Sequence, residues 1–162
     1  MAELHQQLAP LGGLVGTWRG SGSGSYPTID DFSYLEEVTF GHVGKPFLAY
    51  GQKTRDATTD LPLHAETGYW RVPGAGEVEV VIAHPTGIVE VLTGPMEDSS
   101  EHGTAIDLRT TAVGATPTAK SVTELHRRFI LDGDELHYEV AMAAVGHGLT
   151  HHLAATLRRV PN

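Results

Sequence analysis

Apolar and polar residues alternate along most of this chain. Leu136, Tyr138, Val140 and Met142 fall on one side of an extended segment, with His137, Glu139 and Ala141 on the other. Val78, Val80 and Ile82 alternate with Glu77 and Glu79, and Phe32, Tyr34, Val38 and Phe40 share a face. A period of two is the signature of an antiparallel sheet with one wet side. It predicts strands at 17–23, 32–40, 47–55, 64–72, 77–83, 88–92, 105–111, 121–131, 135–142 and 151–159. Turn-forming residues separate them, as at 42–46, 73–76, 84–87 and 132–134. Only 2–8 reads as a helix, short and limited by Pro10. No helical pattern alternates with the strands, so a parallel α/β sheet is excluded. The fold class expected is all-β: about ten antiparallel strands closed into a barrel with an interior cavity.

The run Gly16-Thr17-Trp18-Arg19-Gly20-Ser21-Gly22 fits the first strand of such a barrel. Its glycines and tryptophan share one face, and glycine in a strand marks a bend or a close approach. A loop rich in small residues is the other reading of the same run. The 162 residues, 40% of them hydrophobic, suffice for one domain spanning 1–162. No repeat or linker divides them.

Charge narrows the function. Lys and Arg total 11 against 20 acidic residues, a formal net charge of −9. This argues against nucleic acid and against anionic membranes. There is no cysteine, so thiolate metal sites and disulfides are excluded. The N-terminus has no basic region leading into an apolar stretch, so no signal peptide is expected and a cytoplasmic location follows. Two polar residues fall on apolar faces: Arg127 among Leu125, Phe129 and Leu131, and Glu36 among Phe32, Tyr34, Val38 and Phe40. An inward guanidinium needs an anion. Either an internal carboxylate supplies it, or a strand bulge turns it outward, or a carboxylate-bearing ligand fills the cavity.

Ten histidines remain to be placed. His42, His84, His102, His126 and His147 read as surface residues in turns or on polar faces. His64 opens one strand, and His151 and His152 open the last. Adjacent strand residues face opposite ways, so that pair cannot grip one metal from inside. The helical zinc spacing is absent too, which leaves a zinc hydrolase without a ligand set. His151 shares its face with Leu153, Ala155 and Leu157, so apolar parity favours it. His152 has the small neighbours Ala154 and Thr156, which leave room for a flat cofactor. Parity does not settle the choice.

The ordered blocks resemble the nitrobindin family. They are the Gly16–Gly22 run, Tyr26-Pro27-Thr28-Ile29, Tyr34-Leu35-Glu36-Glu37, the block from His42 to Tyr50, the block from His64 to Tyr69, Ala83-His84-Pro85-Thr86-Gly87 and His152-Leu153-Ala154-Ala155. The resemblance runs from about Leu11 to Arg159. It implies a ten-stranded barrel similar to fatty-acid-binding proteins and lipocalins. It also implies one ferric haem b per chain, nitric oxide binding, and isomerisation of peroxynitrite to nitrate. It places the axial ligand on His152, a distal histidine on His64 and a haem neighbour at Thr28. For the propionates, the residues themselves offer Arg127, with Lys120 second. His64 is the candidate catalytic residue, as a hydrogen-bond or proton donor to a bound anion. The competing functions are a fatty-acid or lipid carrier and a nitric oxide sensor or carrier without turnover. A homodimer is allowed for.

Overall fold

The structure is a computed structural model describing residues 2–162. Ten strands follow a short 3₁₀ helix. They are β1 (Gly16–Tyr26), β2 (Ile29–Gly41), β3 (Leu48–Asp56), β4 (Pro62–Arg71), β5 (Glu77–Ala83), β6 (Ile88–Ser99), β7 (Gly103–Ala115), β8 (Val122–Asp132), β9 (Glu135–Ala144) and β10 (Thr150–Arg159). Each strand pairs with its chain neighbours, and β1 pairs with β10 to close the barrel. All pairings are antiparallel, so the strands run alternately up and down and no sheet edge is exposed. The ten expected strands are the ten found, with ends that differ by a few residues. β6 and β7 run further past Leu92 and Thr111 than their apolar alternation reached.

The helix is displaced from its expected position. It spans Gln6–Leu14 and contains Pro10 instead of stopping before it. The reason is its period. Leu8, Leu11 and Leu14 are spaced by three, the repeat of a 3₁₀ helix, and all three are buried. His5 caps the start through Nδ1, which accepts from the Gln7 N–H at 3.2 Å.

Strand direction separates two ends. At the first, where β1 begins, the helix leucines pack with Trp18, Phe40, Leu48, Trp70 and Leu136 in the core. Trp18 donates its indole N–H to the Leu14 carbonyl at 2.8 Å. Arg159 lies over the Trp18 ring at 4.3 Å. The plug is dry and aromatic. At the second end, β1 finishes and the connections 27–28, 57–61, 84–87, 116–121 and 145–149 meet. Gly22 and Gly24 of β1 belong to this side. A Cβ at Gly22 would run into the Tyr34 ring, and one at Gly24 into the Phe32 ring. The alternate glycines thus let two aromatic rings lie flat against the barrel wall. Among the described residues no helix is long and apolar enough to cross a membrane.

Candidate functional site

The second end opens into a cavity of about 660 Å³. Its walls are largely apolar, with Phe32, Leu63, Ile88, Val140, Met142 and Leu153 among them. Polar groups converge from several strands: His64 and Glu66 on β4, His84 just past β5, Arg127 on β8 and His152 on β10, with Lys120 before β8.

His152 and Leu153 both line this cavity, which a regular strand forbids. A bulge explains it. His151 pairs with Ala141 and Leu153 with Val140, so His152 is an extra residue in β10. A bulge of this kind re-aims a side chain. His151 is exposed and His152 half-buried. Apolar parity, which favoured His151, fails because the period changes at this residue. The His152 ring donates from Nδ1 to the Ser25 carbonyl at 3.0 Å, at the end of β1. That bond holds the proton on Nδ1 and leaves Nε2 as a free lone pair. Burial lowers the His152 pKa, which favours the neutral ring a metal needs. An apolar slot with one oriented, neutral imidazole fits haem. Ser25 was not among the expected residues, since a backbone carbonyl leaves no mark in a sequence.

Arg127 does point inward, and its partners are internal. Its Nη1 and Nη2 donate to Glu66 at 3.0 and 2.8 Å. Its Nε and Nη2 donate to Glu90 at 2.9 and 2.6 Å. The expectation that it would take a propionate is therefore corrected: two carboxylates already fill the fork. Burial alone would raise both carboxyls, but the guanidinium and His84 hold them below the ordinary carboxylate range, Glu90 at about 2. Tyr50 adds a hydrogen bond to Glu66 at 3.0 Å. Glu36 is buried as expected, yet it does not reach Arg127 in a hydrogen bond. It accepts from the Tyr138 hydroxyl, which also meets Tyr34 at 2.7 Å.

His64 lines the cavity and its Nε2 lies 2.9 Å from His84 Nδ1. Burial is the main cause of its lowered pKa. His84 is not the surface residue expected. Its side chain is 10% exposed, and its Nε2 contacts Glu90. His64, Glu66 and His84 offer ligand atoms within 4.8 Å of one another, a cluster that linear spacing did not reveal. Each of the three already holds a hydrogen bond to a protein neighbour. Lys120 is exposed at the cavity mouth. Thr28 is exposed in the β1–β2 turn and is not part of the cavity wall.

Known proteins share this plan. Residues 7–159 match the family model described as "THAP4-like, heme-binding beta-barrel domain". "Peroxynitrite isomerase 2" of Mycobacterium avium is 58% identical over 159 residues, covering 97% of each chain. "Peroxynitrite isomerase" of Nocardia farcinica is 52% identical, covering 96% of this chain and 92% of that one. The crystal structure of Rv2717c from M. tuberculosis superposes with a TM-score of 0.95 at 49% identity, over 98% of this chain and all of that one. The bulged histidine, the apolar slot and these full-length matches have one meaning: the chain belongs to the THAP4-like haem-binding β-barrel, or nitrobindin, family.

Proposed function

We propose that this protein is a peroxynitrite isomerase, converting peroxynitrite to nitrate with one ferric haem b per barrel. Full-length relatives named for that activity support the reading. The observation that carries it is His152, bulged into the cavity with Nδ1 tied to Ser25 and Nε2 free. A haem bound in this cavity would supply the iron chemistry on which the isomerisation depends. The chain's own groups do the rest. His152 would hold the metal through its free Nε2. Phe32, Leu153 and their apolar neighbours keep water from the slot's walls. Lys120 is the cation at the mouth for a propionate, the role that Arg127 cannot take. His64, across the same cavity, donates a hydrogen bond to the incoming anion. Nitric oxide would be taken up in the same cavity. The lipid-carrier reading depended on an arginine awaiting a carboxylate, and Arg127 has its carboxylates.

The test is His152→Ala titrated with hemin. Wild-type protein is expected to give a sharp Soret band and faster peroxynitrite decay. The variant is expected to lose both while keeping its fold by circular dichroism. Matching ferric spectra and decay rates in the two proteins would remove His152 as ligand.

A further inference from the structure

The function proposed above uses His64 and leaves the groups behind it without a task. They form one continuous chain. His64 Nε2 meets His84 Nδ1 at 2.9 Å, His84 Nε2 meets Glu90, and Glu90 and Glu66 grip Arg127. Hydrogen-bond logic fixes where the protons sit. Glu90 is held ionised, so it only accepts. His84 must then carry its proton on Nε2 to donate to it. In neutral His84 the Nδ1 atom is an acceptor, and His64 donates to it from Nε2. That leaves His64 Nδ1 as a bare lone pair, which repels an anion.

One added proton reverses this. It bonds to His64 Nδ1. The Nε2–H bond of His64 breaks, and that proton bonds to His84 Nδ1. One proton enters, one shifts, and none is lost. His64 is neutral again, now with an N–H on Nδ1. His84 holds the positive charge against Glu90, with Glu66 at 3.5 Å. The charges support it: two carboxylates against one guanidinium sum to −1, and the proton brings the cluster to zero. The groups facing His64 are all counted. Glu66 comes from its own strand, His84 from beyond β5, Glu90 from β6 and Arg127 from β8. From β3, Thr54 bonds only the His64 carbonyl. Lys120 and His152 share the cavity.

We propose that His84 and Glu90 make His64 a switchable donor, so that an anion enters the cavity together with one proton that the His64–His84 pair stores. His84 is a positioning residue: it acts on the ligand only through His64. The proposal rests on the reading of the cavity as the site of an anionic substrate.

Two measurements test it. The first is ring-nitrogen NMR of the haem-free protein across pH. At pH 8 both rings are expected to carry their proton on Nε2, and on acidification His64 is expected to gain an Nδ1 proton as His84 becomes doubly protonated. A neutral His64 with its proton on Nδ1 at pH 8 would overturn the proposal. The second is fluoride binding to hemin-loaded protein, by calorimetry in buffers of different ionisation heat. His84→Gln keeps an acceptor for His64 Nε2–H but cannot store a proton. Wild type is expected to take up close to one more proton per fluoride than H84Q. Its affinity relative to H84Q should fall about tenfold per pH unit above the pair's titration. Equal uptake in the two proteins would also overturn it. Failure of hemin to bind would sink the haem reading alone. The NMR arm, which needs neither haem nor the variant, still decides.

Discussion

At the first end of the barrel, Trp18 and Trp70 are fully buried against the helix leucines, and the polar atoms nearby are few. At the second end, Glu36, Glu66, Glu90 and Arg127 are just as buried, yet the space beside them stays open as a cavity. The same strands make both ends. The first removes apolar surface from water, which stabilises the fold, and leaves the Trp70 indole N–H buried without a partner. The second takes charges out of water, which costs stability unless every charge is answered. A barrel with only the first kind of interior would be more stable and would hold nothing. The closed end therefore supplies rigidity, and the open end spends it on a preorganised polar site.

Arg127→Met tests that division most severely. It leaves Glu66 and Glu90 buried without their common cation. Breaking a buried pair in this way costs about 3–5 kcal/mol. Urea denaturation at pH 7 is expected to show a loss of that size. The pH dependence has a definite sign. In wild type both carboxyls sit below the ordinary 4.5, so their stabilisation is present above 4.5 and is lost as pH falls below it, for Glu90 through about 2. In the variant the orphaned carboxyls regain stability when acid protonates them, so its deficit should shrink as pH falls. A loss under about 1 kcal/mol at pH 7 would mean that the cluster is not what holds the open end in order.

Leu11→Ala is the counterpart at the closed end. Leu11 is 1% exposed, and deleting such a side chain costs about 2–5 kcal/mol through lost transfer energy and the cavity left behind. The expected result is a loss near the lower half of that range with an unchanged hemin spectrum. A disturbed Soret band in a folded variant would show that the two ends are coupled.

The two ends also differ in how far their sequences could be read. Trp18 and the apolar alternation of β2, β5 and β9 predict a dry interior, because burial of one face is what a period of two records. The helix is harder to read, because Leu8, Leu11 and Leu14 repeat at three and Pro10 bars an α-helix but not this 3₁₀ turn. At the open end, Arg127 and Glu36 are legible as polar residues on apolar faces. Glu90, between Ile88 and Leu92, carries the same signal. His84 lies beyond the last residue of β5, where strand parity says nothing. His152 depends on a bulge, and a one-residue change of register leaves no trace in a regular pattern. Resemblance to relatives, not periodicity, is what pointed to that residue.

Glu36 yields the smallest effect and the finest distinction, because it sits between the two regimes. Burial pushes its carboxyl up to about 8, with the hydrogen bond from Tyr138 opposing the shift. The folded protein therefore keeps this proton up to about pH 8, while the unfolded chain gives it up near 4.5. Between those values the folded state binds more protons, so stability from this site falls as pH rises through the window. Glu36→Gln removes the titration and keeps an oxygen to accept from Tyr138. Its amide brings a donor to the place of Oε1, which is buried with no partner, and an unmet donor costs about 1–3 kcal/mol. The shift is worth about 4–5 kcal/mol by pH 8, so the net gain expected there is roughly 1.5–3.5 kcal/mol, turning to a net loss below pH 4.5. Thermal unfolding of both proteins at pH 4, 6 and 8 measures it. A difference that stays constant across the three would show that folding leaves this carboxyl's titration unshifted, and Glu36 would then be ionised, not protonated, in the folded protein at pH 6 and 8.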